Sequence, residues 1–209
     1  MYQKLSEQEV QRRDKLDRLK SLGIDPYPAE EFKINCSSED ILKNFSDNKS
    51  NYESVVIAGR LMSKNIMGKA SFSSIQDSVG RIQAYFNRDI LCPEEDKAMY
   101  NNVYKKLLDI GDFIGIDGVV FITKTDELTV KAENVTMLSK NLRPIPDVKE
   151  KDGEKYNSVS DKELRYRKRY LDMIINPETK DNYIKRFKII NSIREFLNKN
   201  GYIEVETPV

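Results

Sequence analysis

From Ser54 to Leu138 apolar and polar residues alternate, and a period of two belongs to half-buried strands rather than to helices. Residues 56–62, 71–77 and 81–86 read as three such strands, with Gly68 and Gly80 at the turns between them. Pro93 predicts the start of a helix running through Leu108, with Glu94, Glu95 and Asp96 in a first turn whose partial positive charge suits acids. Two more strand runs follow, 113–121 and 128–138, joined by Lys124-Thr125-Asp126-Glu127.

Three strands, a helix and two strands is the order of an OB-fold, a five-stranded, partly open barrel whose face binds oligonucleotides. Helices flank it. Ser6 with Glu9 three residues on makes a capping box, and Val10, Leu16, Leu19 and Leu22 lie roughly on one face of the helix it opens. Gly23 is placed to end that helix, and Pro26 and Pro28 stop any continuation. A shorter helix begins after Ser37 or Ser38 and runs through Leu42. After Lys140, the polar stretch 144–160 reads as a linker or extended loop, and 161–175 as a strongly basic helix. Asn176 caps and Pro177 starts a last helix ending at Gly201, and 202–206 reads as a strand with no partner in the sequence. The fold class expected is mainly β with flanking helices. Its divisions are a helical extension (1–50), the barrel (51–140), a linker (141–160) and the incomplete start of a further domain (161–209).

The chain of 209 residues contains no histidine. That removes Ser-His-Asp and Cys-His catalysis and histidine-based zinc sites from it. Cys36 and Cys92 fit no metal-binding spacing and read as two reduced thiols. Neither a catalytic centre nor a metal site is expected in these residues. The net charge is only +1. Between Ser54 and Arg88, however, Arg60, Lys64, Lys69, Arg81 and Arg88 face Asp77 alone, so a basic stretch is hidden by acids elsewhere. No apolar run approaches the ~18 residues that span a bilayer, and the charged N-terminus is no secretory signal, so the cytoplasm is expected and no membrane partner.

Two groups of residues have the chemistry to bind RNA. By the rule of alternation Phe72, Ser74 and Gln76 share one face of their strand, Ile75 and Asp77 the other; Arg81, Gln83 and Tyr85 oppose Ile82 and Ala84 on the next. An exposed aromatic beside cations suits base stacking, and the Gln83 amide can read a base edge. Against that, Phe72 can simply cover the barrel end, and a glutamine such as Gln83 is more commonly just a solvated side chain. The second group is Arg165-Tyr166-Arg167-Lys168-Arg169, with cations too dense to lie on one helix face. They either bind RNA phosphates or pair with carboxylates in a domain-joining helix.

These residues carry a resemblance. Ala58-Gly59-Arg60, Ile66-Met67-Gly68-Lys69-Ala70-Ser71-Phe72, Gly80-Arg81-Ile82-Gln83, Leu142-Arg143-Pro144, the doubled Arg-Tyr stretch 165–172 and Gly201-Tyr202-Ile203-Glu204-Val205-Glu206-Thr207-Pro208 resemble the N-terminal part of the bacterial-type class II lysyl-tRNA synthetases, from about residue 9 to the end. The resemblance implies that the barrel recognises the anticodon stem-loop of tRNA(Lys). Phe72 would stack on the middle uridine and Gln83 read anticodon uridines. Arg60 would be a basic contact and Glu127 would read a flanking base, with Lys64 and Lys69 completing the anticodon-binding set. Residues 177–208 look like the first class II motif, which builds a homodimer interface. Asn65 stands where the family has an arginine, and Asp126 where it has a turn glycine, although aspartate tolerates left-handed backbone. The motifs that hold ATP and Mg2+ in the whole lysine–tRNA ligase are expected beyond Val209, so this chain alone is expected to be inactive and to need no cofactor. The competing reading is a stand-alone OB-fold RNA or single-strand-binding module.

Overall fold

The first helix starts where its cap dictates. In the computed structural model, which describes residues 5–146, 148–151, 154–157 and 162–208, the Ser6 hydroxyl accepts from Glu9 N (3.3 Å) and the Glu9 carboxylate from Ser6 N (2.9 Å), closing the capping box on α1 (Glu7–Ser21). Gly23, at φ +76°, ends it. The expected apolar stripe is only partly used: Leu19 is buried, whereas Val10 and Leu22 are exposed. So sparse a stripe cannot hold a highly charged helix, and cations do so instead. Arg12 donates to Asn141 O and Ile110 O (both 2.9 Å), and Lys15 pairs with Asp109 at 2.5 Å.

Ser37 caps α2 (Ser38–Asn44), as expected. Asp77 ties this helix to the following turn, accepting from Ser38 N (2.7 Å), Ser38 Oγ (2.8 Å), Val79 N (2.9 Å) and Gly80 N (2.7 Å). Burial raises the Asp77 carboxyl, but these donors outweigh it and hold the pKa below its ordinary value. A depressed folded pKa gives stability that is present above the unfolded value of about 3.9 and lost as the pH falls through the folded one. Asp77→Asn, which can still accept but carries no charge, is therefore expected to cost about 1 kcal/mol in urea melts at neutral pH. The gap to the unmutated chain is expected to close below about pH 4; a gap that persists in acid would contradict this assignment.

The five strands expected from the alternation are all present: β1 (Val55–Met67), β2 (Ala70–Gln76), β3 (Arg81–Asn87), β4 (Phe113–Ile122) and β5 (Leu128–Ser139). They form a closed barrel in the order β1-β2-β3-β5-β4, antiparallel throughout except for the parallel pair β3–β5. Leu61, Ile75, Ile82, Phe86, Ile114 and Val130 fill it. A bulge between Leu61 and Ser63 reverses the alternation of β1, turning Lys64 inward beside Ser73 and Asn65 outward beside Phe72.

Pro93 does not open the next helix. Asn87 caps a single turn, α3 (Arg88–Leu91), and a wide helix follows over Met99–Leu107, closed by Leu108 N donating to Val103 O five residues back. The acceptor at its start is Asp96, whose carboxylate takes Ala98 N at 2.8 Å; proline offers no side-chain acceptor for the free first-turn N–H groups. From this helix Tyr100 and Tyr104 enter the core, where their hydroxyls bond Ser71 (2.7 Å) and Ser73 (2.8 Å). The polar inward face of β2 is thereby satisfied.

Contacts divide the chain at Pro144, and residues 145–209 form the second unit. Within the stretch read as a linker or extended loop, β6 (Val148–Lys151) and β7 (Glu154–Asn157) pair antiparallel, and residues 147, 152–153 and 158–161 lie outside the described residues. The basic helix is two helices, α4 (Lys162–Arg167) and α5 (Arg169–Ile175), broken at Lys168 (φ −119°, ψ 57°). The break lets the buried Asp172 carboxylate accept from Arg165 (3.0 Å), Arg169 (2.9 Å) and Asn176 (2.7 Å), while Arg167 meets Glu163 at 2.8 Å. Of the two readings of these cations, pairing with carboxylates is the one this geometry contains. Asn176 precedes α6 (Pro177–Lys199), but its side chain makes no cap bond to that helix. Residues 202–206 form no strand, since a strand needs a neighbour for its N–H and C=O groups and none pairs with it among the described residues. Ile184, Phe187, Ile190, Ile193 and Leu197 form an exposed apolar stripe on α6.

Candidate nucleic-acid interface

Strand register assembles the site. Phe72 pairs with Tyr85 across β2–β3, Tyr85 with Lys131 and Gln83 with Thr129 across β3–β5, and Phe121 with Thr129 across β4–β5. Alternation turns Phe72, Gln83 and Tyr85 outward, each half-buried, while their neighbours Ser71, Ser73, Ala84 and Phe86 are buried in the barrel. The rings make a continuous bed, Phe72 to Tyr85 at 5.0 Å and Tyr85 to Phe121 at 6.0 Å. They floor an open depression of about 600 Å³, rimmed by Lys124 and Lys131. A smaller one, about 310 Å³, lies against Phe72 and is lined by Ser74, Arg81 and Glu127. Gln83 borders both.

Polar groups on this bed are fixed in place. Gln83 Nε2 donates to Glu127 Oε2 at 2.7 Å, and Thr129 Oγ1 donates to Gln83 Oε1 at 2.8 Å. One amide hydrogen and one carbonyl lone pair of Gln83 are left for a ligand. Glu127 itself is set by a tight turn, in which Thr123 Oγ1 accepts from Glu127 N (3.0 Å) and Asp126 takes the left-handed conformation at φ +61°. The turn therefore forms with aspartate in place of glycine. Gly118 stands on β4 because a Cβ there would lie 2.0 Å from the carbonyl oxygen of Lys131.

Phe72, Gln83 and Glu127 thus come together; Arg60, Lys64 and Lys69, the other residues expected at the site, line neither depression. Arg60 is held against the Phe113 ring at 4.2 Å and donates to Gly111 O at 2.9 Å. Lys69 is exposed in the β1–β2 turn. Because of the β1 bulge, Lys64 points inward and caps the end of the wide helix, donating to Tyr104 O (3.1 Å), Lys105 O (3.2 Å) and Leu108 O (2.5 Å). Burial lowers its pKa to about 8. Asn65 lines the larger depression, so the departure from arginine falls at the site itself. Phe121, Thr129 and Lys131 were missed. Carrying the alternation of β3 across to β5 brings Lys131 to the outer face, but the parallel register that does so is not written in either strand.

Residues 55–138 match the family described as the OB-fold nucleic acid binding domain, and residues 161–209 match tRNA synthetases class II (D, K and N). Three lysine–tRNA ligases are similar over nearly the whole chain. That of Azobacteroides pseudotrichonymphae is 56% identical over 98% of this chain and 41% of its own length. That of Porphyromonas gingivalis is 53% identical over 98% and 36%. That of Christiangramia forsetii is 52% identical over 99% and 36%. The chain spans well under half the length of these relatives. The chain is thus similar to the lysine–tRNA ligases over the part of them that it spans, an OB-fold nucleic acid binding domain followed by a stretch that matches the class II synthetases.

Proposed function

We propose that the barrel face binds the anticodon stem-loop of tRNA(Lys) and reads its uridines for a lysine–tRNA ligase. The observation that supports this most is an amide held by two hydrogen bonds at the edge of an aromatic bed. Stacking on aromatics is tolerant of sequence, whereas a fixed donor and acceptor beside it are not. Lys124, Lys131 and the exposed Lys69 supply charge for the phosphates. In the ligase reaction ATP activates lysine as an adenylate before transfer to tRNA. Among the described residues no group of three or more Asp, Glu, Cys or His could hold a metal ion. The part played by these residues is recognition, in a cytoplasmic enzyme whose α6 stripe meets a second copy. Lysine-dependent ATP–pyrophosphate exchange by the chain alone is expected to match a heat-killed control.

The test is a titration with a UUU-anticodon stem-loop and a cytidine-substituted control at ~150 mM salt. Preference for UUU by roughly 5-fold or more supports the reading, in the range of one well-made base contact. Equal affinity for both loops overturns it in favour of a non-specific single-strand-binding module. Lys64→Met is expected to leave stem-loop affinity within about twofold and the salt slope unchanged, because its ammonium is spent on helix carbonyls. A fall of about one ion in that slope would return Lys64 to the binding face.

A further inference from the structure

The side chain of Gln83 has two shapes of nearly equal volume, related by exchanging its amide oxygen and nitrogen. They present opposite orders of donor and acceptor to a base. Glu127 decides between them. A carboxylate only accepts, so Nε2 must face it, as it does at 2.7 Å. The opposite side of the amide meets Thr129, a fully buried residue whose hydroxyl donates to Oε1 at 2.8 Å. That hydroxyl also lies 3.2 Å from Glu127 O, a weaker acceptor position for its one hydrogen. We infer that Thr129 is a positioning residue for base discrimination: it anchors the Gln83 carbonyl from beneath, so that the amide has a single donor–acceptor order and a single tilt above the aromatic bed.

The reason is in the chemistry of the pyrimidine edge. Uridine offers acceptor, donor, acceptor along its Watson–Crick edge, and cytidine offers acceptor, acceptor, donor. A swinging amide finds a donor–acceptor pair on either base by tilting from one to the other. An amide pinned at both ends cannot make that adjustment. Glu127 fixes the polarity from the exposed side, and Thr129 fixes the tilt from the buried side. Register explains why the hydroxyl is there, since Thr129 is the residue opposite Gln83 in the one parallel pair of the barrel. Thr129 carries no charge, so its effect falls on selectivity and not on general RNA affinity.

This inference rests on the anticodon reading, and the test separates the two. The ratio of affinities for the UUU stem-loop and its cytidine-substituted control is measured for the unmutated chain, Thr129→Val, Thr129→Ser and Glu127→Gln, with urea melts alongside. Valine keeps the shape and suits a strand, so Thr129→Val is expected to fold and to lower the ratio about fivefold, the share of one hydrogen bond. Thr129→Ser, which restores the hydroxyl, is expected to return the ratio to within about twofold of the unmutated value. Glu127→Gln, at an exposed position, is expected to lower it as well, and supplies the test should the valine variant unfold. A merely structural threonine would weaken both loops alike and leave the ratio unmoved. An unmutated chain without preference overturns both readings. A preference that survives Thr129→Val, or survives Glu127→Gln where the valine variant does not fold, overturns the positioning role alone.

Discussion

Phe72→Ala is expected to weaken binding of a UUU-anticodon stem-loop by roughly 5- to 150-fold, the ~1–3 kcal/mol of one stacked base, while the barrel stays folded. The ring stands on the outer face of β2, half-buried, with Tyr85 at 5.0 Å as its aromatic neighbour, and the core beneath it is closed by Ser71 and Ser73 bonded to tyrosine hydroxyls. Removing it leaves no internal cavity of the kind that costs ~3–5 kcal/mol when a core phenylalanine is truncated. Titration and a urea melt on the same variant tell these apart. Unchanged affinity with a large loss of stability would make Phe72 a packing residue and end its role in recognition.

A larger effect on stability is expected at Lys140, whose ammonium is wholly buried. It donates to Leu107 O, Asp109 and Asp112, each at 2.7 Å, and the Asp112 carboxylate is equally buried. Burial pushes the Asp112 carboxyl up, and Lys140 is the main charge opposing that. Lys140→Met strands this carboxylate, and breaking such a pair from one side costs about 3–5 kcal/mol. Without the ammonium the Asp112 pKa rises further above its unfolded value, so the cost is present at neutral pH and is relieved as the pH falls and the carboxyl takes up a proton. Adding Asp112→Asn to Lys140→Met removes the stranded charge and keeps an acceptor for one of Asp109 N and Asn141 N while its NH2 faces the other, so it is expected to recover about half of the loss. Chemical denaturation of the single and double variants between neutral and acid pH checks this. A deficit that grows in acid would show that Asp112 is not the stranded group.

The barrel was legible in the sequence because its strands alternate and each face is committed by the alternation; Phe72, Gln83 and Tyr85 fell on the outer face for that reason alone. Lys64 entered the expected set through the resemblance, and its inward turn was not legible in the strand. One extra residue near Met62 reverses every side chain after it, and a bulge leaves no mark in composition. The helix after β3 was placed too early because proline and acids are a start signal only when an acceptor follows, and Asp96 was the acceptor. Thr129 and Lys131 went unseen because they meet β3 through a pairing between distant segments. The tail 202–206 has the composition of a strand but no neighbour to pair with it among the described residues, and no local pattern supplies one.

Barrel closure also sets an order of events during synthesis. β1, β2 and β3 can pair as a meander soon after they are made, but residues 55–60 of β1 wait for residues 113–118, and residues 83–86 of β3 wait for 129–132. Until Ser139 has emerged, the nascent chain carries two unpaired strand edges, open to pairing with a neighbouring chain. Pairings so distant in sequence make closure the slow step. The last residue of β5 nevertheless precedes Pro144, where the first unit ends. The outer face with its aromatic bed can thus be completed, and the barrel's edges sealed, while the residues of the second unit are still being added.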